Sequence, residues 1–97
     1  MPESFTEING FKISKINLKK NENGGLVYAV GTVKNDTDRQ RFGVKIELDL
    51  LDEQDDKIGG ASDYIAVLEP QDKWQFKALL AEPRTVQARL ATIVEQK

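Results

Sequence analysis

The chain contains no cysteine and no histidine among its 97 residues. The first absence removes disulfides, thiol nucleophiles and thiolate metal sites. The second removes Ser-His-Asp and Cys-His catalysis and imidazole ligation of zinc. Any chemistry falls to Asp, Glu, Lys, Tyr, Ser or Thr. A cysteine-free domain is stable in oxidising and reducing compartments alike, so the compartment stays open. Long apolar runs are missing too. None approaches the ~18 residues that a membrane span needs, so no span is expected in this segment. The opening Met-Pro-Glu-Ser-Phe-Thr-Glu has neither a basic nor an apolar region, so it does not read as a signal peptide. A segment cut from a longer exported protein would look the same. The formal net charge is −2. A general nucleic-acid binder is normally basic, so nucleic acid is not an expected partner.

What is present suits one domain over residues 1–97. A chain of this length buries about 60–65% of its unfolded surface, enough for one core. Hydrophobic residues make up 39% and charged residues 31%, a balance that folds rather than stays disordered.

The dominant period is two. Val44, Ile46, Leu48 and Leu50 alternate with Lys45, Glu47 and Asp49, the pattern of a strand with one face on a core and one in water. A helix would not place four aliphatics at strict i, i+2 spacing. Trp74, Phe76 and Ala78 alternate with Lys73, Gln75 and Lys77. Val86, Ala88 and Leu90 alternate with Gln87 and Arg89, and the pattern runs on through Thr92 and Val94 with Ile93 on the other face. The inward set gives the expected core: Val44, Ile46, Leu48, Leu50, Trp74, Phe76, Val86, Ala88 and Leu90.

The stretch from Leu26 to Val33 is apolar on both faces, as in a central strand. Leu26, Tyr28 and Val30 share one face, and Val27, Ala29, Gly31 and Val33 the other. Parity alone does not choose the inner one. In the first strand Phe11 and Ile13 share one parity, Ile16 and Leu18 the other. A bulge or bend near Ser14–Lys15 reconciles them. Ile58 to Leu68 form a weaker strand. Turn signals at Asn9-Gly10, Asn23-Gly24-Gly25, Asn35 to Asp38, Asp52 to Lys57, Glu69 to Asp72 and Glu82-Pro83 separate these runs. The expectation is an all-β antiparallel sandwich of six or seven strands, with residues 1–9 a loosely ordered lead-in.

The order of Gly31-Thr32-Val33-Lys34-Asn35, Leu48-Asp49-Leu50-Leu51-Asp52, Lys57-Ile58-Gly59, Leu68-Glu69-Pro70 and Trp74-Gln75-Phe76 resembles the FxLYD family of bacterial immunoglobulin-like domains. The resemblance covers roughly residues 26 to 78. Gly31, Val33, Asn35, Leu50, Asp52 and Phe76 match the family's pattern. Leu48 stands for its Phe, Leu51 for its Tyr, and Gln71 for the Gly after its Pro. The resemblance implies an immunoglobulin-like sandwich, often extracytoplasmic in the cell envelope, that serves as an accessory domain without established catalytic residues or cofactors.

Each candidate site has a plainer counterpart. Asp49, Asp52, Glu53, Asp55 and Asp56 bring hard oxygens together, and Asp52, Asp55 and Asp56 are the candidate Ca²⁺ ligands. The EF-hand order is missing, and turn acids are ordinarily solvated caps. Paired carboxylates also serve glycosidases, but only in a cleft that raises one pKa. Trp74 could stack on a sugar, yet its parity places it in the core. Leu26, Tyr28 and Val30 form a candidate interaction patch if Ala29 and Val33 face inward. Tyr64 is a further exposed-aromatic candidate. Lys12, Lys15, Lys19 and Lys20 on the first strand could suit an anionic polymer, but four lysines without interleaved aromatics read as protection of an edge. Lys34, Arg39 and Arg41 flank a turn and are expected in solvent. Asn35-Asp36-Thr37 has the N-glycosylation pattern, but Asn35 also matches a structural position.

The sequence therefore favours a non-enzymatic accessory or interaction domain of a bacterial protein. It would act by protein–protein contact or as a spacer, with a partner protein or neighbouring domain, or as a homo-oligomer, joined through an edge strand. The alternative is a small module binding carbohydrate or Ca²⁺ through the 52–56 turn or exposed aromatics.

Overall fold

The computed structural model of the protein describes residues 5–21 and 24–96. Residues 1–4 of the expected lead-in and Asn23 of the expected turn lie outside them. The two-residue period becomes eight strands: β1 (Thr6–Ile8), β2 (Phe11–Ile13), β3 (Asn17–Lys20), β4 (Val27–Asn35), β5 (Arg41–Leu51), β6 (Lys57–Leu68), β7 (Lys73–Leu79) and β8 (Gln87–Glu95). All pairings are antiparallel. In the first sheet β4 is central. β7 lies on one of its edges, β2 and β3 follow one another along the other, and β1 pairs outside β2. The second sheet runs β6-β5-β8. The fold is a two-sheet, sandwich-like all-β structure.

Two features raise the strand count above seven. The first strand is broken where its phase changes. Ile13 pairs with Val33 and Asn17 with Val30, so three residues face two, which is a bulge. Ser14 closes the gap: its N–H donates to the Thr32 carbonyl at 2.9 Å, and its Oγ accepts the Thr32 N–H at 2.8 Å. The second feature lies in the lead-in. Asn9 (φ 54°) and Gly10 (φ 84°) both adopt the left-handed geometry of a tight hairpin turn. Thr6–Ile8 therefore folds back onto β2, with Ile8 opposite Phe11.

The core forms between the sheets. Val44, Ile46, Leu48 and Leu50 of β5 are buried against Phe11, Ile13, Ala29, Val33, Trp74, Phe76 and Ala78 of the first sheet. Full burial of each large aliphatic is worth roughly 1.5–3 kcal/mol. Trp74 and Phe76 meet edge-to-face with centroids 6.2 Å apart. Gly31 leaves room for Phe76, since a Cβ there would fall 2.7 Å from Phe76 Cζ. With Ala29 and Val33 inside, Leu26, Tyr28 and Val30 face outward.

The expected parity of β8 holds for only half of the strand. Ala88 is buried opposite Leu50, and Leu90 pairs with Leu48. Thr92 then pairs with Glu47, so Ala91 is extra and forms a bulge. Beyond it Ile93 is buried and Val94 is exposed, the reverse of the expectation. Val86, expected in the core, precedes β8 and is 52% exposed.

Candidate functional site

The two seams between the sheets differ. Where β6 passes β7, the Lys77 N–H of the β7 edge donates to Asp63 Oδ2 of β6 at 2.9 Å. This side chain bridges the sheets. Where β3 passes β8, an open groove remains. Its walls are Ile13, Ile16 and Leu18 on one side and Val86, Ala88 and Leu90 on the other. Among the described residues β3 pairs only with β4, and β8 only with β5, so on each the edge beside the groove has no described partner strand. Lys15 and Arg89 sit on its rim, and among the described residues no acidic one lines it. A free edge with alternating apolar contacts is what an added extended strand recognises.

The end of the sandwich where β4 stops is built differently. Asn35 is fully buried. Its Nδ2 donates to the carbonyls of Arg39, Leu68 and Glu69 at 2.8, 3.0 and 3.1 Å. Its Oδ1 accepts from the Thr37 N–H and hydroxyl at 3.2 and 2.6 Å. One carboxamide thus ties the turn after β4 to the turn after β6. Arg41, expected in solvent, is buried instead. Its Nε donates to Glu95 Oε1 at 2.7 Å, and its guanidinium lies 4.2 Å from the centroid of the Phe11 ring. Glu95 also accepts from Arg39 at 3.0 and 3.1 Å and from the Phe42 N–H at 3.0 Å. The Arg39 hydrogen bond is the main reason its carboxyl falls to about 2. Arg41 and the Phe42 N–H pull the same way, and burial opposes them. These groups bond chiefly to one another and to the backbone. They hold this end of the fold together.

The sequence candidates fall as follows. Asp52 Oδ1 accepts the N–H groups of Gln54 and Asp56 at 2.9 and 3.0 Å, a turn cap. Among the described residues no three acidic groups gather as a metal site, and Asp52 closes the turn that carries Asp55 and Asp56. Asn35 is buried and fully bonded, so the glycosylation pattern there is structural. Trp74 is 9% exposed and packs in the core. Tyr28 is half-buried, with the Lys77 ammonium 4.1 Å from its ring centroid. Exposed Leu79 lies opposite it and Leu26 nearby. Tyr64 is exposed on β6.

Sequence reading missed two features. No residue pattern marks the open groove, because a missing neighbour strand leaves no signature. The lysines of the first strand also acquire companions, since register sets Lys12 opposite Lys34 and Lys34 opposite Lys73. Compared with the models of known protein families, with curated proteins and with solved structures, the chain matches none.

Proposed function

We infer that the chain is a non-enzymatic interaction module that takes an extended strand of a partner protein along the free edge of β8. The observation that carries this reading is the contrast between the seams: one is bridged by Asp63, the other is open and walled with aliphatics. A strand laid beside β8 would hydrogen-bond its free edge and cover Val86, Leu90 and Leu18. It would extend the three-stranded sheet to four. The strand order, and the resemblance of residues 26 to 78 to FxLYD domains, support an immunoglobulin-like accessory domain of a bacterial envelope protein.

A displayed library of random twelve-residue peptides, panned against the protein, tests this. Enriched peptides should alternate aliphatic and polar residues. They should protect the backbone amides of residues 87–95 from hydrogen exchange and lose affinity for the Val86→Glu variant. Protection confined to other strands, or binding indifferent to Val86→Glu, would sink the idea.

A further inference from the structure

Strands β2, β3, β4 and β7 carry Lys12, Lys19, Lys20, Lys34, Lys73 and Lys77 and not one Asp or Glu. Yet acids outnumber bases in the chain by 16 to 14. Register gathers most of these lysines on the outer face of the first sheet. Lys12, Lys34 and Lys73 form one row across three neighbouring strands. Like charges placed opposite each other in a sheet repel. Asp36 offsets part of this, 3.6 Å from Lys12 and 3.8 Å from Lys34, and Glu7 lies 4.0 Å from Lys12. Lys73 has no ion pair among the described residues. Further along the face, Lys77 lies opposite Val30 and Lys19 opposite Tyr28. Such a concentration of one sign, kept against local repulsion, is the kind of local conflict that tends to mark a functional surface.

Between the lysines runs a shallow trough. Thr32 faces Gln75 across it, Asn17 lines it, Lys15 joins Lys12, Lys34 and Lys73 around it, and exposed Phe5 flanks it. The Thr32 hydroxyl and the carboxamides of Asn17 and Gln75 make no hydrogen bond among the described residues. They are free donors and acceptors set among cations.

We propose that this face binds a linear acidic polysaccharide. Anionic groups along such a chain would pair with the lysine row. Its hydroxyls would meet Thr32, Asn17 and Gln75, and an apolar ring face would lie against Phe5. An acidic peptide fits less well. β4 is hydrogen-bonded on both edges, so the face offers an extended peptide no main-chain partners. Single-stranded nucleic acid fits less well too. It needs open stacking platforms, and Tyr28 is covered by Lys77. The trough adjoins the groove at Ser14, Lys15 and Asn17, which line both, but the β8 edge and Val86 lie outside it, so the variants at Lys34 and Lys73 and the variant at Val86 test the two readings separately.

The test is calorimetric titration at low and at physiological salt. The polysaccharide arms are polygalacturonate, carrying carboxylates, and heparin, carrying sulfates as well. Polyglutamate and oligothymidylate are the competing classes. Binding to at least one polysaccharide is expected, stronger than to polyglutamate or oligothymidylate and weakening with salt. The double variant Lys34→Glu, Lys73→Glu should bind about tenfold more weakly, while keeping the parent's circular-dichroism spectrum and a cooperative melt. Lys45→Glu, on the second sheet, should bind as the parent does. Affinity for neither polysaccharide would overturn the proposal. So would equal or tighter binding of polyglutamate or oligothymidylate, or a double variant that binds like the parent.

Discussion

The end of the sandwich around Asn35 and Glu95 and the seam between β3 and β8 follow opposite rules. At the end, polar groups are buried and every one is matched: among the described residues no buried side-chain nitrogen or oxygen lacks a partner. At the seam, aliphatic side chains line an open groove and two backbone edges face it without a neighbouring strand. Burying a polar group is costly unless its partners are fixed, so a fully satisfied buried network specifies geometry. An open apolar seam gives up burial that a closed one would gain. The molecule is rigidly defined where β4, β6 and β8 end, and it is available where β3 and β8 pass.

The sharpest way to break the first half of that contrast is Asn35→Ala. It strips the donor from the carbonyls of Arg39, Leu68 and Glu69 at once. A loss of about 3 kcal/mol or more is expected in urea denaturation. Asn35→Asp should fail as well, because a carboxylate supplies no N–H. A cost below about 1 kcal/mol would mean that the turns hold themselves.

Glu95 comes next. Glu95→Gln should cost about 2 kcal/mol, the worth of charge-assisted hydrogen bonds at a largely buried carboxylate. The pH dependence follows from the depressed pKa. The ordinary value is 4.5 and the folded one about 2. Stability from the ionised carboxylate is therefore fully present above about 4.5 and lost as pH falls from there towards 2. Denaturation of the parent should show this decline, and Glu95→Gln should show a flatter one. Parallel curves would place the acid sensitivity elsewhere.

These anchors were unequally legible in the sequence. The alternation Val44 to Leu50 is a local signal, and the structure keeps it intact because β5 is paired on both edges. The phase break near Ser14 was legible for the same reason: parity changes within one short stretch. The bulge at Ala91 was not, because it exists only relative to β5, and its residues alternate as though unbroken. Arg41 read as solvated because its partner Glu95 lies 54 residues away. The strand Thr6–Ile8 was hidden by its shortness, although Asn9-Gly10 marked the turn that forms it. The acidic turn looked like the richest chemistry, yet Asp52 spends its oxygen on backbone N–H groups. The groove is a product of sheet order and leaves no trace in a linear pattern, whereas the basic face was half legible: Lys12 stood out among the lysines of the first strand, and register added Lys34 and Lys73.

The closed seam offers a smaller test. Asp63→Ala removes the one side chain that receives the Lys77 N–H across the sheets. The bond lies at an exposed position, where water can replace part of it, so the expected cost is about 1 kcal/mol. The telling readout is hydrogen exchange at Lys77, which should accelerate while residues of β8 do not change. Equal acceleration on both seams would mean that Asp63 acts on global stability.

The smallest expected effect bears most directly on the open seam. Val86 is 52% exposed, and its N–H is already held by the Leu51 carbonyl at 2.9 Å. Val86→Glu therefore leaves the backbone anchored, removes little burial, and should change stability by no more than about 0.5 kcal/mol. A core position such as Ile46→Ala, fully buried, should cost about 2–5 kcal/mol by the same measurement. If Val86→Glu instead costs as much as a core substitution, the groove closes in solution and Val86 packs within it. If the cost is near zero, the Val86 side chain is surplus to folding. Surplus apolar surface beside a free strand edge is then the difference between the two regions, measured in solution.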